Sequence, residues 1–180
     1  CKAKLDVVIV LDGSASIQDS DFAKELDFTN KIVDSFHLSA DEVEIGAVQF
    51  SGFANKIIDL SPDKAAVKAA VSAQSQLKTN TNTYRGFEMA KDMFASHGRP
   101  GTKGKIVILI TDGNQNQGLP AKFASDDLKK SGVQIFGIGV GSQIDQSELE
   151  KWVSTPLSGH YFSVQNFASL EKILQSIVAG

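Results

Sequence analysis

The sequence predicts an α/β protein built on a doubly wound, mostly parallel six-stranded sheet, with one antiparallel edge strand and helices on both faces. Three observations carry this. Short β-branched runs alternate along the chain with longer stretches of helical apolar spacing. Two runs, Leu5 to Leu11 and Lys105 to Thr111, are almost continuously apolar, the composition of strands buried on both faces. A third pair of runs, Glu44 to Phe50 and Lys56 to Leu60, is joined by a loop short enough for a hairpin, which makes the second an antiparallel edge strand.

The elements follow in order. After the first strand, Phe22, Leu26, Phe28, Ile32, Val33 and Phe36 recur at helical spacing and predict a helix over Asp21 to Phe36, with Ser20 or Asp19 as its cap. Ser61-Pro62 is expected to open a helix reaching about Ser75, because Pro is tolerated in a first turn and Ser caps it. A polar loop, Lys78 to Thr83, leads into a helix carrying Phe87, Met89, Ala90, Met93 and Phe94. The second fully buried strand ends in Asp112-Gly113. Then come a helix over Pro120 to Lys130, a strand over Val133 to Gly139, a helix over Ser147 to Val153, a short strand over Tyr161 to Val164 and a last helix over Phe167 to Val178. Trp152, at helical spacing with Leu149 and Val153, reads as core. Gly137, Gly139 and Gly141 lie on the wrong strand for a dinucleotide loop and read as sites of close packing.

At 180 residues and 42% apolar, the chain 1–180 fits one domain. Its start at Cys1 without an initiator Met leads us to expect a domain cut from a longer protein. A net charge of −3 with scattered Lys and Arg makes nucleic acid an unexpected partner. No apolar run approaches the roughly 20 residues of a bilayer span, so no membrane insertion is expected. Cys1 is the single cysteine, which excludes an internal disulfide; it reads as a free thiol or as half of a bridge to a cysteine elsewhere.

In a doubly wound sheet, ligands bind beyond the carboxyl ends of strands where the strand order reverses. Two polar turns occupy such ends: Asp12-Gly13-Ser14-Ala15-Ser16 after the first strand and Thr111-Asp112-Gly113 after the second buried one. Alone, an Asp, Gly and Ser cluster is a turn and a helix cap. Paired with Asp112 and with the Thr-rich loop, it becomes a set of hard oxygen donors. Such a set, without His or Cys, suits Mg²⁺, Mn²⁺ or Ca²⁺ and argues against Zn²⁺. Two carboxylates roughly neutralise a divalent ion while hydroxyls complete the set, which leaves the ion able to attract an external carboxylate. Thr79, Thr81 and Thr83 compete for the place on the second loop. His37, His97 and His160 share no ligand spacing.

With these residues the sequence resembles the von Willebrand factor type A domain, including the inserted domain of integrin α subunits, from Leu5 to about Val178. The resemblance implies a Rossmann-like fold and a metal-ion-dependent adhesion site formed by Asp12, Ser14, Ser16, Thr81 and Asp112. Thr81 is chosen because Thr81-Asn82-Thr83-Tyr84-Arg85-Gly86-Phe87 is similar to the family's stretch leading into a helix. By the same resemblance, Ser14 and Ser16 contact the cation directly, Asp12, Thr81 and Asp112 directly or through water, and a partner's Asp or Glu takes the open position. The implied partner is an extracellular-matrix or cell-surface protein, the implied location extracellular, and the last helix the element that couples affinity to conformation. Collagen-binding integrin domains carry an acidic residue where Asn114 stands and an extra short helix for which Gly141 to Glu148 is too short. From position alone, Gln18, Asn82, Tyr84, Asn114 and Asn116 form the expected contact rim. Two rivals remain. One is an intracellular type A scaffold with an idle site. The other is a Mg²⁺-dependent phosphoryl-transfer enzyme, disfavoured because Ser14 stands where that chemistry needs a second Asp.

Overall fold

The computed structural model describes residues 4–173. Its elements run β1 (Leu5–Asp12), α1 (Asp19–Ser35), β2 (Val43–Phe50), β3 (Ala54–Ser61), α2 (Lys64–Ser72), α3 (Thr83–His97), β4 (Gly104–Thr111), α4 (Ala121–Lys130), β5 (Val133–Val140), α5 (Gln146–Trp152), α6 (Leu157–His160) and β6 (Tyr161–Val164), then a 3-10 helix over Phe167–Ile173. The expected last helix starts at the same residue, but its continuation to Val178 lies outside the described residues, as does Cys1.

Six strands form one sheet in the order β3-β2-β1-β4-β5-β6. Only the β2–β3 pair is antiparallel, so β3 is the expected edge strand. Strand periodicity of two explains the layers. In β1, Val7, Ile9 and Leu11 pack into one apolar cluster with Phe28 and Ile32 of α1 and Val67 of α2. Val8 and Val10 pack into the other, with Phe87 of α3, Leu128 of α4 and Trp152 of α5. Burying each such side chain stabilises the fold by about 1.5–3 kcal/mol. Trp152 meets Phe87 edge-on, and a Cβ at Gly137 or Gly139 would crowd Val153 or Ile144, as the sequence predicts; Gly141 differs, since its φ of 87° marks a turn glycine and a Cβ there would meet nothing closer than 3.9 Å.

Helix starts differ from expectation because caps are chosen by tertiary placement. Gln18, not Ser20 or Asp19, is the N-cap of α1, without a side-chain bond. Asp63, not Ser61, caps α2 by accepting the Ala66 N–H at 3.0 Å. Ser61 stays in β3 because its backbone pairs with Ile45. The short α6 was not foreseen; four residues are too few to show a helical period.

At the amino ends of the central strands, Asp6 is 0% exposed and is held by Arg99, which follows α3. Arg99 donates from Nε to Asp6 Oδ1 at 2.7 Å and from its backbone N–H to Oδ2 at 2.9 Å. Its remaining guanidinium nitrogens donate to the carbonyls of Ala40, Leu5 and Glu42. Truncating one partner of a buried pair leaves the other charge uncompensated. Arg99→Ala is therefore expected to destabilise the fold by about 3–5 kcal/mol, read from urea denaturation midpoints; a midpoint within error of wild type would reject the clamp.

Candidate metal centre

The order of the strands puts the reversal between β1 and β4. From β1 the chain crosses through α1 to β2 on one side, and from β4 it crosses through α4 to β5 on the other. The two polar turns thus emerge side by side. Register fixes their offset: Leu11 lies beside Ile110, so Asp12 ends its strand next to Thr111, with Asp112 one residue further.

The side chains meet there. Thr111 Oγ1 donates to Asp12 Oδ2 at 2.6 Å, and the Ser14 N–H donates to Asp12 Oδ1 at 2.9 Å. The Ser14 and Ser16 hydroxyls are 3.1 Å apart, and Ser16 Oγ donates to Asp112 Oδ1 at 2.9 Å. Asp12 and Ser14 are buried, Asp112 is half-buried and Ser16 is exposed, so the cluster opens to solvent on the Ser16 side. Gly13 is required beside it, because a Cβ there would sit 2.1 Å from Gln49 Oε1.

The second loop is stitched to the first through the backbone. Lys78 N–H donates to the Gly13 carbonyl at 2.8 Å and Ala15 N–H to the Thr79 carbonyl at 2.9 Å. Lys78 takes a left-handed φ of 56°, a conformation costly for a residue with a side chain and found where a turn is over-determined by its surroundings. Gln76 Nε2 adds bonds to the carbonyls of Ser14 and Ile17 at 2.9 and 2.8 Å. Of the three competing threonines, Thr79 spends its hydroxyl on Ser51 and Gly52, and Thr83 Oγ1 is buried in the first turn of α3 without a partner. Thr81 is clasped through its backbone: its N–H donates to Asn116 Oδ1, and its carbonyl accepts the Asn116 N–H, both at 2.9 Å. The structure joins Asp12, Ser14, Ser16 and Asp112 by hydrogen bonds; Thr81 sits on the adjoining loop, and no hydrogen bond ties its hydroxyl to the cluster.

The rim residues fall in different roles. Gln18, Asn114 and Asn116 are exposed and Tyr84 is half-buried, whereas Asn82 is turned inward, capping α3 at Arg85 and reaching the Gly52 carbonyl. Asn114 binds the loop after β5 through the Gln143 carbonyl and the Asp145 N–H. Three participants escaped the sequence reading. Thr111 stands in the expected polar turn but was given no role of its own. Gln76 lies between the expected end of a helix near Ser75 and the expected loop from Lys78, and was given no role. Glu25 was passed over although it lies three residues from Phe22 on the buried face of α1. Its Oε1 accepts the Asp12 N–H at 3.1 Å, and its Oε2 is buried without a partner.

Electrostatics make this a charged site held under tension. Burial pushes the Asp12 carboxyl up to about 6, against the pull of hydrogen bonds from Ser14 and Thr111. Burial raises Glu25 well above the ordinary carboxylate range, and the charges of Asp12 and Asp112 add to it. Asp112 is raised too, chiefly by burial, with the Ser16 bond opposing. Among the described residues no group of three or more His, Cys, Asp and Glu could hold a metal. The donor set is instead two carboxylates and hydroxyls, which suits a hard divalent cation, and the orphaned Glu25 Oε2 is a buried acidic oxygen behind Asp12 without a hydrogen-bond partner.

Comparison with known proteins identifies the family. A family model of the von Willebrand factor type A domain matches residues 6–176. Matrilin-1 of Gallus gallus is 30% identical over 177 residues, covering 94% of this chain and 34% of its own length. The collagen alpha-1(XXI) chain of Xenopus laevis is 30% identical over 171 residues, covering 93% and 18%. The chain therefore spans about a third or less of these relatives. Among solved structures, proximal thread matrix protein 1 from the mussel byssus, with a zinc-occupied MIDAS motif, superposes with a TM-score of 0.91 at 26% identity, covering 99% of this chain and 48% of that one.

The bond from Thr111 to Asp12 is the shortest in the cluster and is inaccessible to water. Thr111→Val keeps the shape and removes the donor. It is expected to lower the stability of the metal-free protein by about 1–3 kcal/mol, measured by urea unfolding in EDTA; an unchanged midpoint would mean that the hydroxyl does not hold Asp12.

Proposed function

The chain belongs to the von Willebrand factor type A domain family, and from that premise we propose that it is a non-enzymatic, divalent-cation-dependent adhesion module that binds a protein of the extracellular matrix or cell surface. The observation that carries this reading is the continuous hydroxyl and carboxylate chain from Asp12 through Ser14 and Ser16 to Asp112, linking the ends of β1 and β4 across the reversal of strand order.

In this reading Asp12, Ser14, Ser16 and Asp112 hold a divalent cation, with Thr81 from the adjoining loop. When bound, the cation supplies an open, positively charged coordination position for an Asp or Glu carboxylate of the partner. The protein's own residues do the rest. Thr111 and the Ser14 N–H orient Asp12, Ser16 orients Asp112, and Gln76 and Asn116 fix the loops that present the hydroxyls. Exposed Gln18, Asn114 and Asn116, with half-buried Tyr84, surround the opening and supply the partner's further contacts.

The relatives support a matrix setting, since matrilins, collagen chains and a byssal thread matrix protein are proteins of that kind. They also support a binding role over an enzymatic one. No histidine is available as a proton shuttle at the cluster: His37 pairs with Glu42, His97 with Asp59, and His160 binds the Pro156 carbonyl. Integrin-like collagen recognition is not part of the proposal, because Asn114 is neutral and residues 141–145 form a loop rather than an extra helix. Mg²⁺ is the favoured cation, with Mn²⁺ or Ca²⁺ as alternatives. The zinc in the mussel protein's motif shows that Zn²⁺ must be tested despite the lack of His and Cys among the donors.

The test is a solid-phase binding screen against matrix proteins in Mg²⁺, Mn²⁺, Ca²⁺, Zn²⁺ or EDTA, paired with thermal melts under the same conditions. A ligand for the folded state raises the melting temperature with concentration. Wild type is expected to show both a cation-dependent rise and cation-dependent capture, and Asp12→Ala to lose both. Capture that survives EDTA would reject the carboxylate mechanism. Hydrolysis of a phosphorylated substrate that disappears in Asp12→Ala would make the chain an enzyme instead.

A further inference from the structure

Glu25 is out of place by every rule of core composition. It lies on the face of α1 that carries Phe22, Phe28, Thr29 and Ile32, and it is 0% exposed. One of its oxygens accepts the Asp12 N–H at 3.1 Å; the other is buried with no partner. Among the described residues no cation is paired with it, and its neighbour Lys24 is paired with Asp21 at 2.9 Å on the surface. A buried carboxylate normally has a counter-charge or serves a metal. An apolar residue would fill this place at far lower cost, so the helix packing alone does not account for a carboxylate.

The position does account for it. Glu25 sits against the strand end that supplies Asp12, and its Oε1 accepts the backbone N–H of that residue. We propose that Glu25 is a positioning residue of the metal centre, which fixes the Asp12 backbone from below and places a third carboxyl behind the ligands, raising the affinity of the site for a divalent cation. This rests on reading the centre as a cation site. It assigns to α1 a part in cation binding that Asp12 at the strand end and the four loop residues do not describe. Groups behind the direct ligands of a metal orient those ligands and tune the ion's affinity, and losing one weakens binding by about 10- to 100-fold.

Glu25→Gln separates the carboxyl from its shape, because the amide oxygen can still accept the Asp12 N–H while the second acidic oxygen is gone. Chelator-stripped wild type and Glu25→Gln are titrated with MgCl₂ and with MnCl₂ by calorimetry, and the melting temperature of each metal-free form is recorded. The expected result is a Kd weaker by about 10- to 100-fold in the variant with a metal-free melting temperature no lower than wild type. A purely structural glutamate would lower the melting temperature and leave Kd alone. Equal Kd values for the two proteins would overturn this inference while leaving the centre standing. An absence of saturable binding to wild type would overturn the centre, and this inference with it. Should the amide variant not melt cooperatively, Glu25→Met, uncharged and of similar volume, reads the same constant.

Discussion

The parallel register of β1 against β4 is the constraint from which the rest follows. Nothing local holds it, since the two strands are separated in sequence by two other strands and three helices. Pairing Leu11 with Ile110 brings Asp12 and Thr111 to the same edge and lifts Asp112 just beyond it. A slip of one residue would turn Thr111 to the other face of the sheet and separate its hydroxyl from Asp12. The same slip would exchange Val107 and Leu109 with Ile108 and Ile110 between the two apolar layers. The core therefore protects the register, and the register assembles the polar cluster.

That cluster is a place where folding is opposed. Asp12 and Glu25 are wholly buried and within one hydrogen bond of each other, Asp112 is close by, and the carboxyls are pushed up by burial and mutual repulsion. Lys78 adds a left-handed backbone to the neighbouring loop. A sequence optimised only for stability would remove such features, and their persistence within a well-packed sheet is what a functional site looks like energetically. The opposing stability comes from the two apolar layers and from the Arg99 clamp at the far end of the same strand.

Much of this was legible in the sequence, for identifiable reasons. The continuous Val and Ile runs of β1 and β4 could hardly be anything but doubly covered strands, and the alternation of strands with helical spacings fixed the class of fold. Asp12, Ser14 and Ser16 were visible because they stand close together, and Asp112 because it ends the other buried run. What escaped depends on contacts across the fold. Thr111 reads as one more β-branched strand residue until Asp12 is placed beside it. Glu25 looks like a solvated helix charge unless the buried face of α1 is known. Asn82 seemed a candidate for an outer surface, yet tertiary placement turns it inward to cap α3. The start of α2 was misplaced because Ser61 had a strand partner that no local pattern reveals.

The helix α3 is fastened at both ends to the strand it covers. Before it, the loop of Lys78 and Thr79 is bonded to Gly13 and Ala15 just past the end of β1; after it, Arg99 grips Asp6 near the strand's beginning. From Asp6 to Asp12 an extended chain runs about 20 Å, and the 15 residues of α3 span about 22 Å. Helix and strand are thus matched in length like a rod between two brackets. Removing or adding one residue within α3 would rotate everything after it by about 100° and pull either Arg99 or the threonine loop out of place. An insertion or deletion within α3 would therefore disturb both ends of β1 at once, so the helix must keep its length for the strand end that anchors the opening to stay put.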